Sequence, residues 1–93
     1  MKRELLSEKN ILSIIENELP GWELKEKSLF YEKVFKDFVE AFAFMTKGAL
    51  ISEALDHHPN WSNVYNKVTI RLFTHDKGGV TDVDIEWAKR ITK

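Results

Sequence analysis

The sequence predicts an α+β protein with the element order α-β-β-α-β-β-α, in which a four-stranded antiparallel sheet has its helices packed on one face. Three segments place apolar residues at helical spacing, and two other regions alternate apolar and polar residues as strands do. Because hairpins and helices are segregated along the chain, an antiparallel sheet covered on one side is favoured. The 93 residues suit a single domain over residues 1–93.

The first helix is predicted over residues 8–19. Ser7 is a suitable N-cap, and Pro20-Gly21 ends the helical pattern. The apolar residues that recur at helical spacing between these signals are Ile11, Leu12, Ile15 and Leu19.

A hairpin is predicted next, with strands over Trp22 to Lys25 and Leu29 to Phe35 and the polar segment Glu26-Lys27-Ser28 between them. The inward face of the second strand is ambiguous, because large apolar residues occupy both faces. Burial on both faces, or an interface, would explain this pattern.

The long segment from Asp37 to Asp56 is the strongest helix prediction. It contains no proline and a single glycine, and Asp37 and Glu40 lie in the first turn, where the helix dipole favours negative charge. Its apolar residues occupy nearly the whole circumference, so we expect burial on several sides. In a protein this small, we expect the second cover to be another subunit.

The last two strands are predicted within Val64 to Thr74, with Asn66 as a candidate interruption that would leave a short strand and a longer one. The last helix has Thr81 as its candidate N-cap and Asp84 in the capping-box position. Val80 and Ile85 are placed for a hydrophobic staple across that helix start.

The composition excludes several classes of chemistry. The chain has no cysteine, so it has no disulfide, thiolate nucleophile or cysteine-ligated metal. A formal charge of −1 argues against direct nucleic-acid binding. The longest apolar run is Ala41 to Met45 and no signal peptide is visible, so we expect a cytoplasmic protein that does not enter a membrane. No glycine-rich nucleotide-binding motif occurs.

The three histidines are the candidates for chemistry. His57 and His58 end the long helix, and His75 ends the following strand pair. Glu53 and His57 are four residues apart, so we expect them to share a helix face, where the carboxylate can fix the imidazole tautomer. An imidazole at this position suits proton transfer. The alternative is structural, because a histidine near a helix C-terminus is commonly only a favourable cation there.

A metal site is a second alternative that the spacing disfavours. His57 and His58 should point in different directions if the helix ends between them, and no H-E-x-x-H motif occurs. We therefore expect no metal. Trp22 and Trp61 are candidate stacking surfaces for a flat ring, although single tryptophans are more often core or interface residues. Asp84 is explained by the capping box alone.

Nearly the whole chain resembles the pterin-4a-carbinolamine dehydratase family. The resemblance rests on a combination of spaced motifs, each of which matches a segment of the family pattern. These are Gly21-Trp22, Lys36-Asp37-Phe38, Glu53, Asp56-His57-His58-Pro59-x-Trp61, Asn63-Val64-Tyr65-Asn66-Lys67-Val68, Thr74-His75 and Asp84.

This resemblance implies an enzyme, a hydro-lyase that converts a 4a-hydroxytetrahydropterin into quinonoid dihydropterin in tetrahydrobiopterin recycling, without a cofactor. It implies that His57 and His75 form the acid/base pair and that His58 shapes the site and binds substrate. The acids expected to orient or tune it are Glu53, Asp56 and Asp84, and the aromatic residues expected to line it are Trp22 and Trp61.

The resemblance also implies a homodimer or homotetramer. One alternative function is that of a protein-interaction module, because family members also act as dimerisation cofactors for a homeodomain transcription factor. The partner of such a module cannot be named from the sequence. Pterin handling in molybdopterin metabolism is another alternative.

Overall fold

The computed structural model describes all 93 residues and contains three α-helices and four strands in the predicted order. The helices are α1 (Glu8–Glu18), α2 (Phe38–Leu55) and α3 (Asp82–Thr92). The strands are β1 (Glu23–Lys25), β2 (Ser28–Val34), β3 (Asn60–Val64) and β4 (Lys67–Leu72), and a 3-10 turn spans His75–Lys77. The predicted α+β class is confirmed.

The four strands form one antiparallel sheet in the order β1-β2-β4-β3. On its helix-covered face, Leu29 pairs with Leu72 and Tyr31 with Ile70 across the two central strands. Because side chains alternate along a strand, the other face is left to the intervening residues, most of which are polar.

Phe30 explains why the inward face of β2 was ambiguous in the sequence. It points to the open face of the sheet, opposite Arg71. Lys25 and Arg71 cover its ring from 4.2 Å and 4.9 Å, so cationic side chains replace a second hydrophobic layer. Phe30 is nevertheless only partly buried on this face.

The prediction of strands within 64–74 was wrong in its boundaries, because β3 begins at Asn60 and β4 ends at Leu72. The residues of β3 are mostly polar, and only alternate positions are half-buried, so the strand carries a weak hydrophobic pattern. Asn66 does interrupt the strands, as expected. The turn is held by the Asn63 side-chain amide, which donates to the carbonyls of Tyr65 and Lys67 at 2.9 Å each.

Helix α2 packs closely on α3 and β3 through its single glycine. A Cβ atom at Gly48 would lie 2.7 Å from the Trp61 ring and 3.2 Å from the Trp87 ring. The two indoles meet edge to face, with centroids 6.0 Å apart. The buried Ser52 hydroxyl accepts a hydrogen bond from Trp87 Nε1 at 3.0 Å and donates to the Gly48 carbonyl at 2.9 Å.

On the opposite side of α2, no other part of the chain packs on the apolar residues. Val39, Phe42 and Leu50 expose 73%, 54% and 68% of their surface. The expectation that the helix is buried on several sides therefore does not hold for one chain alone. None of the three helices has the length and hydropathy that a membrane crossing requires.

The Ser52 hydroxyl leads to a prediction about stability. Ser52→Ala leaves the buried indole N–H of Trp87 without a partner, so we expect the free energy of unfolding to fall by about 1–3 kcal/mol. Chemical denaturation monitored by tryptophan fluorescence measures this change.

The matched control is Ser13→Ala, which removes an exposed helical hydroxyl in α1. It should change the unfolding free energy by no more than about 0.5 kcal/mol in either direction. Equal effects of the two substitutions would contradict the assigned role of Ser52.

Candidate active site

The C-terminal end of α2 places two adjacent histidines in different environments. Asp56 adopts the left-handed conformation, with φ of 50°, and the His57 N–H returns to the Ser52 carbonyl at 3.0 Å. After this reversal of the chain, His57 is buried, whereas 59% of the His58 side chain is exposed. The helix ends at Leu55, one residue before the predicted end at Asp56 and before both histidines.

The predicted pairing of Glu53 with His57 was wrong. Glu53 Oε2 lies 2.8 Å from Nε2 of His58, in an exposed pair. The helical spacing that predicted the pair assumed a continuous helix, but the left-handed Asp56 turns His57 away from the Glu53 face. Ring nitrogen Nε2 of His58 is therefore engaged, and its Nδ1 makes no hydrogen bond to the protein.

The buried partner of His57 is Asp84, at 2.5 Å between Nε2 and Oδ1. The other carboxylate oxygen accepts hydrogen bonds from the Thr81 N–H and the Thr74 hydroxyl, both at 2.8 Å. The capping box between Thr81 and Asp84 is thus present, as predicted, and the same carboxylate also contacts the histidine. The positive end of the α3 dipole adds to the stabilisation of a negative charge here.

Asp84 joins the two stretches of chain that carry the histidines. His57 follows α2, and Thr74 lies directly before His75 at the end of β4. A tight loop after Thr74 is closed by its N–H, which donates to the Gly79 carbonyl at 2.8 Å. His75 is exposed at the start of this loop, and its ring lies beside that of Phe73, with centroids 5.9 Å apart.

Arg3 is a site residue that the sequence analysis missed. Its Nη1 lies 3.2 Å from His57 Nδ1, and its Nη2 donates to the carbonyls of Leu55 and Asp56 at 3.1 Å and 2.8 Å. The last turn of α2 contains no basic residue of its own. The missing basic residue was the one sign in the sequence that a cation from elsewhere would bind here, because the C-terminal carbonyls of a helix attract a cation.

The contacts of His57 define the tautomer of its ring. A guanidinium can only donate hydrogen bonds, so His57 Nδ1 must accept from Arg3. The ring proton is then on Nε2 and is donated to the Asp84 carboxylate. Both ring nitrogens of His57 are engaged by the protein, and this histidine presents neither of them to a second molecule.

The two tryptophans considered as pocket walls lie mainly in the core. Trp22 is 3% exposed and stacks on Tyr31, with ring centroids 4.7 Å apart. Its indole N–H is buried without a hydrogen-bond partner. Trp61 is half-buried against Gly48.

Asp56, another predicted site residue, is exposed at the end of α2.

A surface cavity of about 470 Å³ lies near the histidine loop but does not include it. Gly78 and Gly79 border the cavity on one side, and the N-terminal segment and the β1–β2 turn border it on the others. None of the three histidines lines it. The exposed His58 and His75 therefore lie on the protein surface, outside this cavity.

Comparison with known families matches residues 4–93 to the model of pterin 4 alpha carbinolamine dehydratase. A protein of Synechococcus sp. (strain WH7803) is 54% identical over 85 residues, which are 91% of this chain and 88% of the relative. A protein of Prochlorococcus marinus (strain NATL2A) is 51% identical over 88 residues, covering 95% and 93% of the two chains. Both are named "Putative pterin-4-alpha-carbinolamine dehydratase".

A solved structure supports the same relationship at the level of the fold. The crystal structure of a transcriptional coactivator/pterin dehydratase from Brucella melitensis superposes with a TM-score of 0.91 and 37% identity. The match covers 96% of each chain. With a family match over nearly its full length and relatives above 50% identity, the chain belongs to the pterin 4 alpha carbinolamine dehydratase family.

Proposed function

We propose that the protein dehydrates a 4a-hydroxytetrahydropterin to quinonoid dihydropterin, in the cytoplasm, as a step in tetrahydrobiopterin recycling. The observation that carries the proposal is the pair of exposed imidazoles, His58 and His75, on two loops that Asp84 joins through His57 and Thr74. Family membership supports the substrate class.

The chemistry requires two proton transfers and no change of oxidation state. A base removes the proton from N5 of the pterin, the electron pair forms the new carbon–nitrogen double bond, and the bond between C4a and the hydroxyl oxygen breaks. An acid protonates the departing hydroxyl, which leaves as water. One neutral and one protonated imidazole suffice for these steps.

His58 and His75 suit these two roles better than His57 does. Nε2 of His58 lies 2.8 Å from the Glu53 carboxylate, which orients the ring, while its Nδ1 makes no hydrogen bond to the protein, so we assign His58 as the acid. His75 makes no hydrogen bond from its ring to the protein, and we assign it as the base. His57, expected from the family resemblance to act with His75, becomes in this proposal the buried residue that supports the site.

The remaining predicted site residues receive supporting roles. Glu53 and Asp84 orient His58 and His57, and the exposed Asp56 remains a proposed substrate-orienting acid. Trp22 is buried and Trp61 is half-buried, which favours packing over direct contact with the pterin.

We also propose that the uncovered side of α2 binds a second copy of the chain, to give a homodimer or homotetramer. One stripe of exposed residues recurs at three- and four-residue intervals, as in a helix pair, and none of them is charged. The residues of this seam are Val39, Phe42, Ala43, Thr46, Ala49 and Leu50. The nearby Lys47 is drawn away from the seam, because its Nζ donates to the carbonyls of Ile91 and Lys93. A neutral apolar seam is self-complementary.

A protein-interaction role is the second candidate function, and the same face of α2 is the observation that favours it. The Brucella melitensis protein carries the words transcriptional coactivator in its description. An interaction role would survive loss of His58 and His75, whereas dehydration would not. The two functions are therefore separable by the substitutions below.

The catalytic assignment predicts the behaviour of two variants. His58→Ala and His75→Ala should each lower kcat for carbinolamine dehydration by about 100-fold or more, because each removes one proton-transfer group. The rate of dehydration of freshly generated substrate, followed by absorbance, measures the effect.

Lys77→Ala provides the control, since Lys77 is exposed on the same 3-10 turn as His75. It should retain the wild-type kcat. Full activity in both histidine variants would remove the proposed acid and base from the mechanism.

The self-association proposal predicts the effect of one charge on the seam. Phe42→Glu should convert an oligomer to a monomer at micromolar concentration, because it places a buried, unpaired carboxylate in the interface. Light scattering coupled to size-exclusion chromatography measures the mass.

The control substitution is Val34→Glu, at a residue 64% exposed on the open face of the sheet. It should leave the mass of the assembly unchanged. A wild-type protein that is monomeric under these conditions would contradict the proposal.

A further inference from the structure

Arg3 reaches across the fold to a residue 54 positions later in the chain. Its guanidinium meets three acceptors at once, which are Nδ1 of His57 and the carbonyls of Leu55 and Asp56. Within α2 these two carbonyls have no donor, because they lie at the C-terminal, negative end of the helix. The planar guanidinium of an arginine suits several acceptors better than the point charge of a lysine does. The contact therefore combines a helix cap with a hydrogen bond to the imidazole.

The segment that carries Arg3 is held in place independently of these contacts. The Leu6 N–H donates to the Val80 carbonyl at 2.9 Å, and the Glu4 N–H donates to Asp82 Oδ1 at 3.1 Å. Arg3 itself is left-handed, with φ of 56°, a conformation that non-glycine residues rarely adopt. The chain thus bends at Arg3, directly before the segment that is anchored beside the start of α3.

We propose that Arg3 is a positioning residue for His57, which it holds as the neutral Nε2–H tautomer with its ring fixed between the guanidinium and Asp84. Because Arg3 only donates, it occupies the Nδ1 lone pair and leaves the ring proton on Nε2, facing the carboxylate. Without Arg3, the Nδ1 lone pair has no hydrogen-bond donor from the protein, and only one side of the ring is restrained.

The consequence for catalysis rests on the proposed dehydratase function. His57 is the direct chain neighbour of His58, and through Asp84 it is also tied to Thr74, the neighbour of His75. Loosening the His57 ring therefore changes the relative placement of the two proton-transfer groups. Such misplacement lowers kcat more than it changes KM, because it affects the geometry of the reacting groups.

The test compares Arg3→Met with Lys2→Met, which removes the same charge from the exposed neighbouring residue. Nitrogen-15 NMR of the histidine rings reports the tautomer and charge of His57 directly. The wild type and Lys2→Met should show His57 with a protonated Nε2 and an unprotonated Nδ1, whereas Arg3→Met should lose that signature. We expect kcat in Arg3→Met to fall about tenfold with a smaller change in KM, and Arg3→Lys to recover part of the loss.

A failure of the Arg3 proposal can be distinguished from a failure of the proposed dehydratase function. An unchanged His57 ring signature in Arg3→Met would overturn the proposal, even if the variant were less stable, because a simple helix cap would behave in that way. A changed signature with unchanged kcat in an active enzyme would overturn the link to catalysis. If the wild type does not dehydrate the pterin at all, the proposed function fails, while the ring signature still decides whether Arg3 positions His57.

Discussion

The buried carboxylate of Asp84 is the interaction on which the rest of the site depends. A fully buried carboxylate is costly unless its oxygens are hydrogen-bonded, and Asp84 meets that requirement with His57, Thr74 and the backbone of Thr81. These donors come from the end of α2, the end of β4 and the start of α3. One side chain therefore joins three elements at the point where the histidines emerge.

The proposed division of work among the histidines follows from this constraint. One ring nitrogen of His57 bonds to Asp84 and the other to Arg3. A histidine with both ring nitrogens engaged is well suited to support a site and poorly suited to exchange protons with a substrate. The rings of the exposed His58 and His75 make no such hydrogen bonds to the protein, apart from the contact of His58 with Glu53. In this proposal, the buried His57 supports the site and the adjacent, exposed His58 transfers a proton.

Local signals predicted most of the fold and some of the site. The helices and the first hairpin follow from the spacing of their apolar residues, and the capping box that holds Asp84 spans only a few residues. The boundaries of β3 were missed because most of its residues are polar. The predicted partner of Glu53 was wrong, because helical spacing does not reveal the left-handed turn at Asp56, which depends on the whole helix end. Arg3 lies far from His57 in sequence, and the one local sign of the contact is that the last turn of α2 has no basic residue of its own.

The hydrogen bond between His57 and Asp84 links the end of α2 to the start of α3. A double-mutant cycle on the free energy of unfolding, with His57→Ala, Asp84→Asn and the double variant, isolates that interaction from the capping role of Asp84. We expect a coupling energy of about 1.5–3 kcal/mol, as for a hydrogen bond to a charged group. Additive effects of the two substitutions would contradict it.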